Sequence, residues 1–174
     1  MSQNDFEVTK LLASSGALVG NYHVGELPSG IAFDGANIWV PLFGPPNVVE
    51  FLASSGAIVG SYTFSNLQNE FAAFDGANIW ITNKSGTVSK ILASSGALVG
   101  TYTVGSNPRG IAFDGTNIWV ANLGSNTVTE LLASSGATLA TYSVGSEPNG
   151  IAFDGANMWV ANSGSNSITK IPVQ

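Results

Sequence analysis

The chain has 174 residues, of which 44% are hydrophobic and only 9% are charged, a composition typical of a folded globular protein rather than a disordered one. Eleven acidic residues against five basic ones give a formal net charge of −6, which argues against DNA or RNA as a partner. The sequence contains no cysteine, so disulfides and thiolate metal sites are excluded.

No segment of the chain indicates a membrane or targeting function. Residues 1–5 lack the basic and apolar stretches of a signal sequence, and no run approaches the roughly 20 apolar residues that span a bilayer. From the chain as given, we expect a soluble, cytoplasmic protein without a membrane partner.

A tandem repeat dominates the sequence. The pentapeptide Leu-Ala-Ser-Ser-Gly begins at positions 12, 52, 92 and 132, a constant interval of forty residues. A second motif, Phe-Asp-Gly-(Ala/Thr)-Asn-(Ile/Met)-Trp, ends at Trp39, Trp80, Trp119 and Trp159. A fixed period of this length is typical of architectures built from one supersecondary unit. The predicted units are 25–64, 65–104 and 105–144, flanked by an N-terminal segment 1–24 and a partial last unit 145–174.

In chain order, the predicted elements are two strands followed by repeated groups of four. The chain begins with strands over residues 6–12 and 17–24, joined by the first Ser-Ser-Gly turn. Asp-Gly-x-Asn and Gly-Ser-Asn turns, whose residues tolerate positive φ, then separate short apolar strands. In the third repeat we expect strands over 110–113, 118–122, 127–132 and 138–144. The chain ends after a strand over 167–173 that corresponds to the third strand of a repeat, so its register is circularly permuted.

The distribution of apolar residues favours radially stacked sheets. The first two strands of each repeat, such as 151–153 and 158–161, carry apolar residues on both faces, as expected where a sheet has a neighbour on each side. The third and fourth strands alternate better, and Thr127, Thr129 and Thr141 are candidates for contact with solvent. These features predict an all-β fold, a β-propeller with four four-stranded blades of about forty residues per chain.

The repeat resembles a known group of propellers. The segment 108–129 reads Pro-Arg-Gly-Ile-Ala-Phe-Asp-Gly-Thr-Asn-Ile-Trp-Val-Ala-Asn-Leu-Gly-Ser-Asn-Thr-Val-Thr. It is similar to the blades of the NHL, YncE-like and streptogramin-lyase-like propellers, and the likeness extends over nearly the whole chain. The resemblance implies a ring of about six to eight blades.

Four blades are fewer than that, so we expect the chain to be half of a larger ring. An open arc would expose apolar end faces larger than soluble monomers usually tolerate. A two-fold dimer with eight blades is the preferred prediction; a compact four-bladed monomer and another ring or open assembly are the alternatives. When the strands are sorted by their position in the repeat, there is one more strand of the third kind than four blades need. We expect the last one, residues 168–173, to be displaced and the last blade to be completed by strand exchange.

Several conspicuous residues are assigned structural roles. The aspartates of the repeated turn are predicted to be turn residues rather than metal ligands: Asp34, Asp75, Asp114 and Asp154. The four tryptophans are expected to fill the core between blades rather than to stack on a ligand. Four tyrosines are expected to pack on outer strands: Tyr22, Tyr62, Tyr102 and Tyr142. The single histidine, His23, has no evident catalytic partner.

The candidate ligand site lies where the copies differ. The Phe-Asp-Gly-x-Asn and Ala-Ser-Ser-Gly turns share one face of a propeller and scarcely vary, so they are interpreted as scaffold. The loops that enter the first strand and leave the second lie on the opposite face, at the mouth of the axial channel, and there the copies diverge; drift in unconstrained loops would explain the same pattern. The predicted channel-mouth residues are Ser29, Phe43, Glu70, Asn83, Arg109, Asn122, Asn149 and Asn162.

The lyase branch of the resemblance implies a magnesium-dependent elimination, with His in the Pro-x-Gly slot and Glu shortly after the second-strand aromatic residue. This chain has Ser29, Arg109 and Asn149 in the first slot. In the second slot it has Leu42, Asn83, Asn122 and Asn162. Because neither imidazole nor carboxylate is in place, a general base and hard ligands for magnesium are both missing. We therefore expect no enzymatic activity, no cofactor and no bound metal.

Two functional classes remain open. The first is a binding scaffold that holds a small polar ligand or a peptide at the channel mouth. The second is a purely structural repeat protein, recently amplified or engineered, with no evolved ligand. In both classes the expected partner is a second copy of the chain.

Overall fold

The computed structural model describes residues 6–64 and 68–173, and within them the chain forms seventeen strands and no helix. Residues 1–5, which entered the signal-sequence prediction, and 65–67, which begin the predicted second repeat, lie outside the described residues, as does residue 174. In chain order the strands are β1 (Glu7–Leu11), β2 (Leu18–His23), β3 (Ala32–Phe33), β4 (Asn37–Pro41), β5 (Val48–Leu52), β6 (Ile58–Tyr62), β7 (Asn69–Phe74), β8 (Asn78–Asn83), β9 (Thr87–Leu92), β10 (Leu98–Thr103), β11 (Pro108–Phe113), β12 (Asn117–Asn122), β13 (Thr127–Leu132), β14 (Thr138–Ser143), β15 (Pro148–Phe153), β16 (Asn157–Asn162) and β17 (Ser167–Pro172).

The strands form five antiparallel sheets in which neighbours along the chain are paired. Three sheets have four strands each, in the orders β3-β4-β5-β6, β7-β8-β9-β10 and β11-β12-β13-β14. The chain begins with the two-stranded sheet β1-β2 and ends with the three-stranded sheet β15-β16-β17. The predicted all-β meander is confirmed, and the strands of the third repeat begin and end within two residues of their predicted bounds.

The Ser-Ser-Gly turn joins the two outer strands of every sheet but the last through the same short bonds. In the first four-stranded sheet the Leu52 amide donates to the carbonyl of Ala57 at 2.8 Å, and the Gly56 amide donates back to the carbonyl of Leu52 at 2.7 Å. Gly56 has φ of +75°, in the left-handed region where glycine is favoured. The repeated pentapeptide is therefore a hairpin signal, as the sequence indicates.

Successive sheets pack face to face through apolar side chains, with their first strands innermost. One core cluster joins Trp39 to Ile79 and Ile91 of the following sheet. Where the first strands meet, the backbones approach closely: a Cβ on Gly30 would lie 2.7 Å from the carbonyl oxygen of Glu70. The Gly of the Pro-x-Gly slot is needed there because a neighbouring backbone occupies the space of a side chain.

Burial is greatest in the two middle strands of each four-stranded sheet and least in the outermost strand. β12 is buried along its whole length, whereas β14 alternates between exposed and half-buried residues. This gradient agrees with the apolar pattern of the sequence except at Thr129, which was expected to contact solvent. Thr129 is buried, and its hydroxyl is satisfied there by a hydrogen bond that it accepts from the Asn122 amide at 2.9 Å.

The first and last sheets are incomplete blades, and no strand pairing joins them within the described residues. β1 and β2 correspond to the third and fourth strands of a blade, and they pack on the first four-stranded sheet through Val8 and Tyr22. β17 pairs with β16 in the position of a third strand. Displacement of residues 168–173 is thus not seen in the single chain and stays a prediction for an assembly.

Candidate functional site

The repeated Asp-Gly turn is a structural device. In each of the four copies the aspartate Oδ2 accepts a hydrogen bond from the indole Nε1 of the tryptophan five residues later, at 2.6–2.8 Å. The other carboxylate oxygen accepts from two backbone amides of the turn, as Asp75 does from Ala77 and Asn78 at 2.9 and 2.6 Å. The interpretation of these aspartates as turn residues is confirmed.

The hydrogen bonds also lower the pKa of turn aspartates such as Asp75 and Asp154. Burial by itself raises the pKa of Asp75, but the bonds from the Trp80 indole and the two amides outweigh it, and the pKa lies below its ordinary value. The pKa of Asp154 is lowered as well, chiefly by the bond from Trp159. Each carboxylate therefore has its oxygens engaged by the turn. Within the described residues, no group of three or more His, Asp or Glu side chains is placed to hold a metal ion.

Three of the four tryptophans form the core between sheets, as predicted. Trp39, Trp80 and Trp119 are at most 1% exposed. Each lies against the tyrosine of its own repeat, with ring centroids 5.4–5.5 Å apart. Trp159 is the exception at 39% exposure, because no sheet follows the last one in the chain.

The variable Pro-x-Gly slot lies on or next to the innermost strands. Ser29 precedes β3, Glu70 lies on β7, Arg109 on β11 and Asn149 on β15. Arg109 Nη1 donates to Glu70 Oε2 at 2.9 Å and forms the one ion pair found among the described residues. The Glu70 side chain is 7% exposed and that of Arg109 is 31% exposed. The Ser29 hydroxyl donates to the carbonyl of Asn69 at 3.1 Å, and Asn149 is exposed.

Thr82 supports this ion pair from the second strand. Its hydroxyl accepts from the Phe71 amide and donates to the Arg109 carbonyl, both at 3.0 Å. The Arg109 Nε is buried and has no hydrogen-bond partner, so the guanidinium is only partly satisfied by Glu70. The arrangement combines a paired buried carboxylate with guanidinium donors that solvent can reach.

Three of the four asparagines predicted to line the channel mouth lie inside the blades instead. Asn83, Asn122 and Asn162 are at most 2% exposed. Each amide donates to hydroxyls on the adjacent third strand, as Asn122 does to Thr127 and Thr129 at 3.1 and 2.9 Å. They tie the end of the second strand to the start of the third, so the structure brings only Ser29, Glu70, Arg109 and Asn149 to the axial strands.

Phe43 has a neighbour that the sequence did not suggest. The Lys84 ammonium lies 5.6 Å from the centroid of the Phe43 ring, while Leu42 beside it is completely buried. Sequence reasoning also missed Thr82, and the signal was present: the other copies have Pro41, Ala121 and Ala161 at that position. His23 lies exposed at the end of β2.

The chain matches no protein-family model and no curated protein. It does match solved structures. Streptogramin B lyase is 20% identical, with a TM-score of 0.75 over 98% of this chain and 63% of the lyase chain. The computationally designed Ika4 protein is 12% identical, with a TM-score of 0.74 over 87% of this chain and 94% of its own. The computationally designed Ika8 protein is 12% identical, with a TM-score of 0.78 over 97% of this chain and 53% of its own.

These matches establish the fold-level resemblance to streptogramin B lyase and other β-propeller proteins that the repeat predicts. The chain spans less than two thirds of the lyase and about half of Ika8. At such low identity the likeness is one of fold alone. In the described residues no helix is long and apolar enough to cross a membrane.

Proposed function

We propose that this protein is a non-enzymatic β-propeller scaffold that binds a small polar ligand or a peptide at its axial mouth and completes its ring with a second copy. The observation that carries the binding proposal is the ion pair between Glu70 and Arg109. Burying a carboxylate is costly unless it is paired, and replacing a buried pair by neutral groups is often harmless to stability. Two other copies have neutral Ser29 and Asn149 in the same slot, so the fold does not need the charges.

The chemistry of the ligand follows from the donors that remain accessible. Arg109 presents N–H groups and no acceptor, and its planar fork suits carboxylate or carbonyl oxygens. A ligand with such oxygens would bind beside Glu70, with Ser29 and Asn149 as neutral polar neighbours on the adjoining axial strands. The absence of an enzymatic activity is inferred because the Pro-x-Gly slot holds no His and the slot after the second-strand aromatic residue holds no Glu.

The binding proposal is tested with a variant that removes both charges together. E70Q/R109Q keeps the shape of the pair and avoids leaving a buried charge without a partner. Thermal shift against sugars, peptides and divalent ions should find a ligand that raises the melting temperature of the wild type, because binding to the native state stabilises it. The double variant should lose that shift, and Glu7→Gln on the peripheral strand β1 should keep it. A ligand that shifts all three proteins equally would refute the axial site.

The ring proposal rests on apolar residues exposed at the two ends of the arc. Ile31 and Phe33 at one end are 54% and 55% exposed, and Trp159 and Ile168 at the other are 39% and 70% exposed. A two-fold dimer, in which the first end of each copy contacts the last end of the other, would cover both ends. Native mass spectrometry at micromolar concentration should show a dimer. A species that stays monomeric at every concentration would contradict the ring.

The alternative is a structural repeat protein with no evolved ligand. The near-identity of the four Leu-Ala-Ser-Ser-Gly turns and the likeness to two computationally designed proteins favour it. A ligand screen without a single reproducible stabilisation would support this alternative over the binding scaffold.

A further inference from the structure

The space around each buried tryptophan is built from the same positions. Trp80 lies beneath the Lys90 ammonium, which is 5.1 Å from the ring, and beside Tyr102 at 5.4 Å. The following sheet covers it with Ile118 and Leu131. Lys90 also donates to the carbonyl of Ala133 at 2.7 Å, which links the two sheets over the ring.

One copy of this space contains no tryptophan. A cavity of about 170 Å³ with a mostly apolar lining lies between β1-β2 and the first four-stranded sheet. Its walls include residues that stand eighty positions before those around Trp80: Lys10, Tyr22, Ile31, Ile38, Phe51 and Ala53. Lys10 donates to the carbonyl of Ala53 at 2.8 Å, as Lys90 does to Ala133. The cavity therefore has the residues that surround a buried tryptophan elsewhere in the protein, but no tryptophan side chain fills it.

Trp159, by contrast, lacks the neighbouring residues that bury the other three tryptophans. It is 39% exposed on β16, and its incomplete blade has no fourth strand to supply a tyrosine. The Gly150 backbone beside it is open: a Cβ there would meet no atom nearer than 3.9 Å, whereas at Gly30 the neighbouring backbone is within 2.7 Å. The last sheet therefore ends in a face that matches the cavity at the start of the chain.

The tyrosines and turn glycines at the two ends of the chain also lack their usual partners. A Cβ on Gly136 would overlap the ring of Tyr102, so the turn glycine of one sheet receives the tyrosine of the preceding one. Gly16 in the first hairpin has nothing within 4 Å of its Cβ position. Tyr142 precedes the last sheet, whose outer hairpin is missing. The hairpin of β1 and β2 therefore has the outer strands and the turn glycine that the last blade lacks.

We propose that Trp159 of a second copy fills the cavity between Lys10, Tyr22 and Phe51, with β1 and β2 serving as the outer strands of that copy's last blade. We call this contact between the two copies the joint. It rests on the proposed ring and specifies which residues of the two copies meet in it. Both faces remain open within the single chain, so the occupant is a second copy, and the reciprocal contact closes the dimer. β1 then replaces β17 beside β16.

The sequence at the end of β17 favours this replacement. Pro172 stands where Leu12 stands after β1. The Leu12 amide closes its hairpin by donating to the carbonyl of Ala17 at 2.8 Å, and proline has no amide hydrogen to do so. Lys10 and Lys170 are equivalent, so the exchange keeps a lysine over Trp159, where Lys170 lies 5.3 Å from the ring.

Sedimentation velocity across a concentration series tests the joint from both sides. Trp159→Ala removes the side chain that would fill the cavity. Ile31→Glu places a charge in the wall of the cavity, at a position that is 54% exposed in the single chain. Each variant should raise the dimer dissociation constant at least about a hundredfold. Val99→Glu, at a position 53% exposed on the outer strand β10, is the matched control and should leave the constant unchanged.

Mixing the two variants makes the test independent of folding defects. A heterodimer of Trp159→Ala and Ile31→Glu has one interface with both changes and one interface of wild-type sequence. The two changed residues would touch in the same interface, so their costs should not add in full, and the mixture should dimerise more tightly than either variant alone. A wild-type dimer that neither variant weakens would overturn the joint and leave the ring standing. A wild type that is monomeric throughout would overturn both.

Two equivalent positions report which third strand is used. Leu11 on β1 is 56% exposed and Ile171 on β17 is 7% exposed in the single chain. In the proposed dimer Leu11 becomes buried and Ile171 is released, so Leu11→Asp should weaken dimerisation at least about tenfold while Ile171→Asp should preserve or tighten it. The reverse order of effects would overturn the replacement of β17 by β1.

Discussion

Two glycines with the same backbone and different surroundings allow the packing of the tyrosines to be measured. Gly16 and Gly96 end identical Ala-Ser-Ser-Gly turns and have φ of +69° and +68°. A Cβ on Gly96 would overlap the ring of Tyr62, whereas at Gly16 the space is empty. We expect Gly96→Ala to destabilise the protein much more than Gly16→Ala.

The magnitude follows from the contacts that the new methyl group disturbs. Alanine in the left-handed region costs about 1 kcal/mol at either position. At Gly96 the methyl must also displace Tyr62, which stacks on Trp39 at 5.5 Å and donates to Glu50 at 2.7 Å. Overpacking adds about 1–3 kcal/mol, and loss of the stacking adds about 1 kcal/mol. The two variants should therefore differ by roughly 2–4 kcal/mol.

Urea denaturation followed by tryptophan fluorescence measures this difference. The comparison is best made in the Trp159→Ala background, because the proposed dimer would bring a tyrosine onto Gly16 as well. If the two substitutions lower the unfolding free energy by amounts within about 0.5 kcal/mol of each other, the tyrosine does not occupy the turn as described and the reasoning fails.

Two further predictions concern the hydrogen bonds of the blades. Asp75→Ala should lower the unfolding free energy by about 2–4 kcal/mol, because it leaves the buried Trp80 indole N–H without an acceptor and removes the acceptor of two turn amides. Urea denaturation of this variant beside the control Val99→Glu measures the effect. Burial and the bond to Glu50 raise the pKa of Tyr62 to about 12, so its stabilising effect is complete below about pH 10 and is lost as the pH rises towards 12. Tyr62→Phe should therefore lose less stability over that window in alkaline denaturation, and equal losses would contradict the assignment.

The sequence predicted the fold well because each local signal repeats four times and agrees with its neighbours. The Asp-Gly turn, the apolar strand around Trp119 and the Ser-Ser-Gly hairpin each determine a short stretch of backbone through bonds within the same copy. Local bonds of this kind depend on residues that are close in sequence, and a pattern therefore reveals them.

The candidate site was harder to predict because a loop position does not determine where its side chain points. Asn122 ends the second strand, next to a loop where a ligand could bind, but its amide donates to two threonine hydroxyls on the adjacent strand and is buried. The pairing of Glu70 with Arg109 was equally hidden, since the two residues are 39 positions apart and meet only when neighbouring blades pack.

The sequence by itself determined the repeat, the strand order and the residues that build each blade, because these depend on contacts within about forty residues. Only the tertiary structure decided which of four equivalent tryptophans is exposed and which of the equivalent sites is empty. Identical repeats carry identical local information, so the difference between Trp80 and Trp159 arises from what lies on the next blade. That neighbour exists for three of the copies and is missing for the last.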